Sequence, residues 1–400
     1  MKVLIVNKFL YPNGGSETYI FSIGKQLKKM GHEVQYFGME HEGRVVGNRV
    51  NSYTSDMDFH TGKLQKLLYP FKIIYSKEAR RKIRIALDDF APDVVHLNNF
   101  TYQLTPSILY EIRKYKKETG RKIRIVATIH DPQLVCPNHM LMNGATGKPC
   151  EQCLNGRFIS CTKGKCIHGS TLKSFLGTVE SRIYRSFHTY RMIDTIICPS
   201  HFIESKLRKN PDLDGRTVIL RNFISIASPS GQQSNERYVL YFGRYSEEKG
   251  IKTLIQAARE LPEITFVFAG NGPYEETVNQ VPNIKNMGFT TGTQLSDLIA
   301  NAAFSLIASE CFENCPFSVM ESQILGTPVI GADIGGIPEL IHEGIDGELF
   351  ESRNVEQFKI KISKLWHNKE KCSQYQEGCR KIHYDDLENY CRQLIEKYYA

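Results

Sequence analysis

Short apolar runs recur along this chain, and each is followed by a stretch whose apolar positions repeat at helical spacing. Runs at residues 3–6, 33–37, 93–97, 123–129 and 195–198 are bounded by polar or turn-forming residues. At four to seven residues they are too short for buried helices and read as strands covered on both faces. Between the first two, a Gly14-Gly15 turn feeds a helical pattern over 16–30. The second half repeats the plan. A strand at 237–245 runs into a turn at Gly243, a helix at 249–261 places Ile251, Leu254, Ile255 and Ala258 on one face, and a strand at 264–269 ends in Gly270-Asn271-Gly272-Pro273. A short helix at 295–302, a strand at 304–308 and the run 328–332 follow, and the tail 386–399 is amphipathic through Leu387, Tyr390, Leu394, Ile395 and Tyr398. Strand and helix in alternation, twice over, predict an α/β architecture of doubly wound parallel sheets.

The chain's 400 residues exceed one compact core, and residues 227–236, polar and without apolar period, read as a linker. The expected domains are therefore 1–226, 237–380, and a tail 381–400. Charge changes sign across the linker: residues 1–226 hold 35 Lys and Arg against 19 Asp and Glu, net +16, while the remainder holds 16 against 24, net −8. Such a basic half suits nucleic acid, an anionic membrane or an acidic acceptor. Its densest stretch, 63–84, mixes Lys63, Lys66, Lys72, Lys77, Arg80, Arg81, Lys82 and Arg84 with Leu64, Leu67, Leu68, Phe71, Ile73 and Ile74. That mixture favours an interfacial helix on an anionic membrane surface over a nucleic-acid patch; a solvated helix with its apolar face in the core is the competing reading. No run approaches the roughly 20 apolar residues that span a bilayer, and no cleavable signal precedes the first strand. The expected location is cytoplasmic, with peripheral attachment at the inner face of the membrane.

Chemistry concentrates at 312–322, where Glu313 and Glu321 stand eight residues apart across a helix start at Pro316. Amides at a helix start favour phosphate, and flanking carboxylates accept hydrogen bonds from sugar or ribose hydroxyls. The plainer alternative makes Glu313 a dipole-complementing acid and Glu321 a solvated one. Arg244 and Lys249 lie where a strand end turns into a helix, the place at which open α/β sheets bind ligands; as isolated residues they would equally read as surface cations. His130 closes the strand 123–129 and suits either chemistry or a turn in which Asp131 fixes its tautomer. Gly14-Gly15 lacks the G-x-G-x-x-G spacing of a dinucleotide site, which counts against an NAD enzyme.

FGRYSEEKG, AGNGP, the eight-residue glutamate spacing and GTPVIGADIGGIPELI, followed by Gly344-Ile345-Asp346-Gly347, resemble in order and spacing the donor half of glycosyltransferase family 4. The likeness is close over residues 237–350 and looser over the first 226. It implies the GT-B fold, two Rossmann-like domains facing a cleft, and a retaining transfer of a hexose-like sugar from a nucleoside diphosphate to an acceptor hydroxyl on a glycan or lipid-linked precursor. It further implies that Arg244 and Lys249 neutralise the departing diphosphate, Glu313 binds sugar hydroxyls and Glu321 the ribose. The segment Asn314, Cys315, Pro316, Phe317 and Ser318, with the turns at Gly243, Gly270 and Gly272, would complete the donor site. Gly14 and Gly15 would offer amides to phosphate, His130 would lie beside the sugar, and the tail would pack on the first domain. No catalytic metal and no side-chain base are expected.

Five of the 11 cysteines fall in an insertion at 136–168: Cys136, Cys150, Cys153, Cys161 and Cys166. In a reducing compartment such clustering favours metal, and Cys150, Cys153, Cys161 and Cys166 suit a structural zinc knuckle, with disulfides or unpaired thiols as alternatives. Two rival functions remain: a nucleic-acid-binding protein with a zinc knuckle, and a catalytically silent nucleotide-sugar binder.

Overall fold

The computed structural model describes residues 1–55, 74–232, 234 and 236–400. The chain divides into two compact units, one formed by Met1–Arg221 with Leu387–Ala400 and the other by Asn222–Asp386. The cut thus falls at Arg221, and the polar segment at 227–236 lies within the second unit.

The first unit holds a six-stranded sheet built from β1 (Lys2–Val6), β2 (Glu33–Phe37), β3 (Val94–Leu97), β4 (Arg124–Thr128), β7 (Thr195–Cys198) and β8 (Thr217–Ile219). Every pairing is parallel and the spatial order is β2-β1-β3-β4-β7-β8. Val3, Leu4, Ile5 and Val6 are fully buried, as a strand covered on both faces requires. Helices α1 (Gly15–Lys29), α2 (Lys77–Phe90) and α3 (Ser107–Thr119) supply crossovers. The second sheet takes β9 (Val239–Phe242), β10 (Phe266–Ala269), β11 (Ile284–Asn286), β12 (Phe304–Ile307), β13 (Val329–Ala332) and β14 (Gly347–Phe350), again all parallel, in the order β11-β10-β9-β12-β13-β14. Counted within the unit this is 3-2-1-4-5-6, the doubly wound order whose reversal between the first and fourth strands opens a crevice at their carboxyl ends. The first sheet reverses in the same way between β1 and β3.

Of the basic segment, residues 74–84 are described, while residues 63–73, which carry most of its apolar side chains, lie outside the described residues. Helix α2 buries Ala79, Ile83, Ala86, Leu87 and Phe90, so its apolar stripe faces the protein. Arg80 pairs with Glu111 of α3 at 2.6 Å, and Arg84 pairs with Glu118 and Asp88. These cations are engaged within the fold. Among the described residues no helix is long and apolar enough to cross a membrane.

The tail forms an α-helix, Leu387–Gln393, that continues as a π-helix, Leu394–Tyr399. It is fastened within the first unit by buried hydroxyls. Tyr390 meets the Tyr19 hydroxyl at 2.9 Å, Tyr19 meets Thr128 at 3.0 Å, and His96 bridges Thr128 at 2.8 Å to Tyr399 at 2.6 Å. Each group is fully or nearly fully buried, so each bond removes a desolvation cost that water would otherwise meet. Tyr390→Phe, which leaves the Tyr19 hydroxyl short of a partner, is expected to cost about 1–3 kcal/mol; Tyr390→Ala, which adds a cavity, about 3–5 kcal/mol. Urea denaturation checks both, and equal losses would contradict the arrangement.

Candidate functional site

At the carboxyl ends of β9 and β12, where the second sheet reverses, two loops meet through one ion pair. Lys249 Nζ lies 2.5 Å from Glu313 Oε1, and Ser309 Oγ donates to the same oxygen at 2.9 Å. Burial alone would raise the Glu313 pKa, but the Lys249 charge and the two hydrogen bonds outweigh it and hold the carboxyl below its usual range. Burial would likewise lower Lys249, yet Glu313 holds it above its ordinary value. Both groups are therefore charged at neutral pH, and Glu313 Oε2 remains available to a hydroxyl donor.

The backbone brings the pair together. Lys249 ends a 3-10 turn, Glu247–Lys249, and Gly250 follows at φ 73°. A Cβ at Gly250 would stand 1.8 Å from the Ala308 carbonyl oxygen, so only glycine lets this turn pass against the end of β12. On the other side, Gly335 at φ 64° lies so close to the Glu313 backbone that a Cβ would meet its carbonyl oxygen at 2.3 Å, and Gly336 N–H donates to that oxygen at 2.7 Å. Arg244 is exposed just past β9, its carbonyl accepting from the Tyr241 hydroxyl at 2.7 Å. Gly243, Gly270 and Gly272 sit at the carboxyl ends of the adjacent strands β9 and β10, with Gly243 N–H bonded to Ala269 O at 3.0 Å.

Asn314, Cys315 and Pro316 lead from Glu313 into α10 (Phe317–Ile324), capped at Pro316. The first amides of this helix, those of Phe317 and Ser318, precede any carbonyl they could bond within it. Asn222 Nδ2 donates to Cys315 O at 3.2 Å, and the Phe223 ring meets Phe317 edge-on at 6.1 Å, so the entry to the helix is fixed in place. Glu321 lies one turn further on, half-buried, and makes no hydrogen bond or ion pair among the described residues. Burial pushes its carboxyl up to about 7.

In the first unit, His130 follows β4 and its Nε2 lies 2.9 Å from Asn98 Oδ1, with the Tyr19 ring against it at 4.9 Å. Burial lowers its pKa to about 4, so the ring is neutral at pH 7. Asp131 does not fix the His130 tautomer: its Oδ1 accepts from Gln133 N at 2.9 Å, and Asn98 takes that role. Gly14 caps α1 and Gly15 begins it. A chain of Asn99 to Ser16 at 3.0 Å, Ser16 to Glu17 at 2.8 Å and Asn7 to Glu17 at 2.9 Å ties this glycine turn to the ends of β1 and β3.

Asn98, Asn7, Glu17, Asn222 and the Gly335-Gly336 turn were not singled out as site residues from sequence. No periodic pattern flags any of the asparagines; the glycine pair was visible, but its contact with Glu313 is long-range. The cysteine insertion is also redrawn. Cys153, Cys161 and Cys166 pack together with Phe158 and Ile167, whereas Cys150 is half-exposed and set apart. All 11 cysteines are free, and among the described residues no three His, Cys, Asp or Glu side chains converge as a set that could hold one metal ion.

Comparison with known proteins covers both units. A family model described as glycosyltransferase family 4 matches residues 13–228, and one described as glycosyl transferases group 1 matches residues 223–382. An uncharacterized glycosyltransferase of Methanocaldococcus jannaschii is 24% identical over 210 residues, spanning 51% of this chain and 58% of that protein. Sulfoquinovosyl transferase of Arabidopsis thaliana is 32% identical over 147 residues, 35% of this chain and 29% of that protein; the chain thus spans less than two thirds of either relative's length. N-acetyl-alpha-D-glucosaminyl L-malate synthase of Bacillus anthracis is 22% identical over 357 residues, 85% and 82% of the two chains. Among solved structures, sucrose-phosphate synthase of Thermosynechococcus elongatus aligns with a TM-score of 0.71 at 15% identity over 99% of this chain and 98% of that one. Anabaena HepE, solved with UDP, gives 0.67 at 16% identity over 99% of both. These place the fold in the GT-B class.

The raised Glu321 pKa has a signed consequence. The folded state binds this proton more tightly than the unfolded chain, whose carboxyl titrates near 4.5, so stability falls as pH rises from about 4.5 through about 7. Thermal midpoints of the wild type and Glu321→Gln at about pH 5 and about pH 8 should show a smaller difference between the two pH values in the variant; an unchanged difference would place the group's titration elsewhere.

Proposed function

The chain belongs to glycosyltransferase family 4, and we propose that it transfers a hexose-like sugar from a nucleoside-diphosphate sugar to a hydroxyl of a glycan or lipid-linked acceptor, with retention of anomeric configuration. The observation that carries this reading is the Lys249–Glu313 pair beside the start of α10 at the sheet's reversal point. HepE has been solved with UDP and with UDP-glucose, which supports a nucleoside-diphosphate sugar as the donor class.

Bond breaking leaves negative charge on the diphosphate. Lys249, held charged by Glu313, and Arg244 stabilise that charge, and the amides of Phe317 and Ser318 add preorganised donors. Glu313 Oε2 accepts from a sugar hydroxyl. Glu321, whose carboxyl lacks donors of its own, accepts from the ribose, and those bonds draw its pKa down on binding. In the first unit, the neutral His130 imidazole suits a sugar hydroxyl and the amides after Gly14 suit phosphate. The departing phosphate takes the acceptor proton, so the step requires no side-chain base, and in this reading Lys249 and Arg244 supply the charge neutralisation that a metal ion would otherwise provide.

Lys249→Ala and Arg244→Ala are each expected to lower turnover by about 10²-fold or more while the thermal midpoint shows the protein folded. Wild-type rates would remove either residue from the site. Calorimetry separates the glutamates. Glu321→Ala should weaken the free nucleoside diphosphate and the sugar donor alike, whereas Glu313→Ala should spare the former and cost the latter about 1.5–3 kcal/mol. Identical losses for both ligands in both variants would refute the division of roles.

A further inference from the structure

The helix Thr171–Ser186, which carries the chain from the insertion back toward β7, turns its apolar face outward. Its buried residues are Ser174, Gly177, Thr178, Glu180 and Tyr184, so small and polar side chains face the protein. The packing there is close. A Cβ at Gly177 would stand 2.5 Å from the Ile167 side chain, Thr178 donates to Phe158 O at 2.8 Å, and Ser174 accepts from Ile167 N at 2.9 Å. Leu172, Phe175, Leu176, Val179 and Ile183 fall on the opposite face at helical spacing, and Phe187 continues their line at the helix end. Leu172 is 66% exposed, Phe175 48% and Phe187 70%, while the other three are half-buried. A helix on a globular protein ordinarily buries such a stripe, and a contiguous one left in water marks an interaction surface.

Charge identifies the partner. Lys173 and Arg182 are exposed and stand roughly a quarter-turn to either side of the stripe on a helix of about 3.6 residues per turn. The one acid between 171 and 187, Glu180, is buried. At its carboxyl end the stripe runs into an open cavity of about 450 Å³, lined in part by Arg113, Lys116, Phe187, His188, Arg191 and Asp194. Arg191 and His188 share Asp212 Oδ1 at 2.8 and 2.7 Å, and Asp194 accepts from Ile125 N at 2.8 Å. Arg113 and Lys116 of α3 make no ion pair among the described residues, which leaves their charge open to an anion. The cavity lies where β4 and β7 begin, at the other end of the sheet from His130. A symmetric second copy would set Lys173 and Arg182 against the same cations. Lipid complements the surface instead, with acyl chains for the stripe and headgroup phosphates for the cations beside it.

We propose that this face lies on an anionic membrane surface, with Leu172, Phe175 and Phe187 entering the boundary between headgroups and acyl chains, Lys173 and Arg182 at the phosphates, and one headgroup in the cavity beside Phe187. Three exposed apolar side chains and a handful of cations give reversible attachment. Nothing in this assignment depends on the proposed donor chemistry, so vesicle binding and sugar transfer can fail separately.

The purified chain should float with vesicles of phosphatidylglycerol mixed with phosphatidylcholine and remain in the aqueous phase with phosphatidylcholine alone. Phe175→Ser combined with Phe187→Ser should weaken the partition about tenfold or more. Lys173→Glu combined with Arg182→Glu, and Arg113→Ala combined with Lys116→Ala, should each weaken it by a similar factor, since a cation near an anionic leaflet is worth about fivefold. No binding to the phosphatidylglycerol vesicles, equal binding to both vesicle types, or wild-type binding by the paired phenylalanine variant would overturn the surface. Self-association lost in the phenylalanine variant, without vesicle binding, would assign the face to a second copy; retention on an oligonucleotide without vesicle binding would assign it to nucleic acid. Either result would also overturn the proposal, and because wild-type partition is read directly, misfolding of a variant does not shield it.

Discussion

A lysine and a glutamate 2.5 Å apart at the point where a parallel sheet reverses its winding set the conditions for everything around them. Taking two charges out of water is costly, and a pair of this kind is weak evidence for stability in itself. Here the surrounding backbone is shaped to make the pair. Gly250 lets the Lys249 turn pass Ala308, Gly336 holds the Glu313 carbonyl, and Asn222 holds the loop that runs on into α10. Perturbed carboxyl and ammonium groups gathered at such a position mark a functional site more readily than a structural one. Glu321 strengthens the case, since its half-buried carboxyl sits at the opposite extreme from Glu313: one is held below its usual range by a cation, the other pushed up to about 7 by burial alone.

The first unit solves a similar problem with neutral groups. Asparagines at the ends of β1 and β3, rather than ion pairs, orient His130 and the glycine turn. Beneath them the tail contributes Tyr390 and Tyr399 to a buried relay that includes Tyr19, Thr128 and His96. A histidine lowered to about 4 by burial remains a neutral hydrogen-bonding group across the physiological range, which suits it to hydroxyls rather than to proton transfer.

Much of this was legible in the sequence because parallel strands buried on both faces are written as short continuous apolar runs. The run at 304–308 corresponds to β12 and that at 264–269 to β10, each ending within two residues of its expected limits. The strand-end positions of Lys249 and Glu313 and the helical position of Glu321 were legible as well, since they lie in local patterns of strand end, glycine and helix start. What sequence did not disclose depends on contacts distant along the chain. Asn98 and Asn222 act across 32 and 93 residues respectively. On the helix Lys77–Phe90, Glu111 and Glu118 of α3 take up Arg80 and Arg84, pairings that spacing along the chain does not reveal. Spacing among the cysteines favoured Cys150 because it begins a C-x2-C pair; the path of the loop packs Cys153, Cys161 and Cys166 together and leaves Cys150 half-exposed.

A double-mutant cycle on Lys249 and Glu313 tests the central claim most directly. kcat/KM with a nucleotide-sugar donor would be measured for wild type, Lys249→Met, Glu313→Gln and the double variant. If the two residues act as one unit, the double variant is scarcely worse than the more damaging single one, a coupling of about 1–3 kcal/mol. Losses that add to within about 0.5 kcal/mol would show that the residues act independently and would contradict the account.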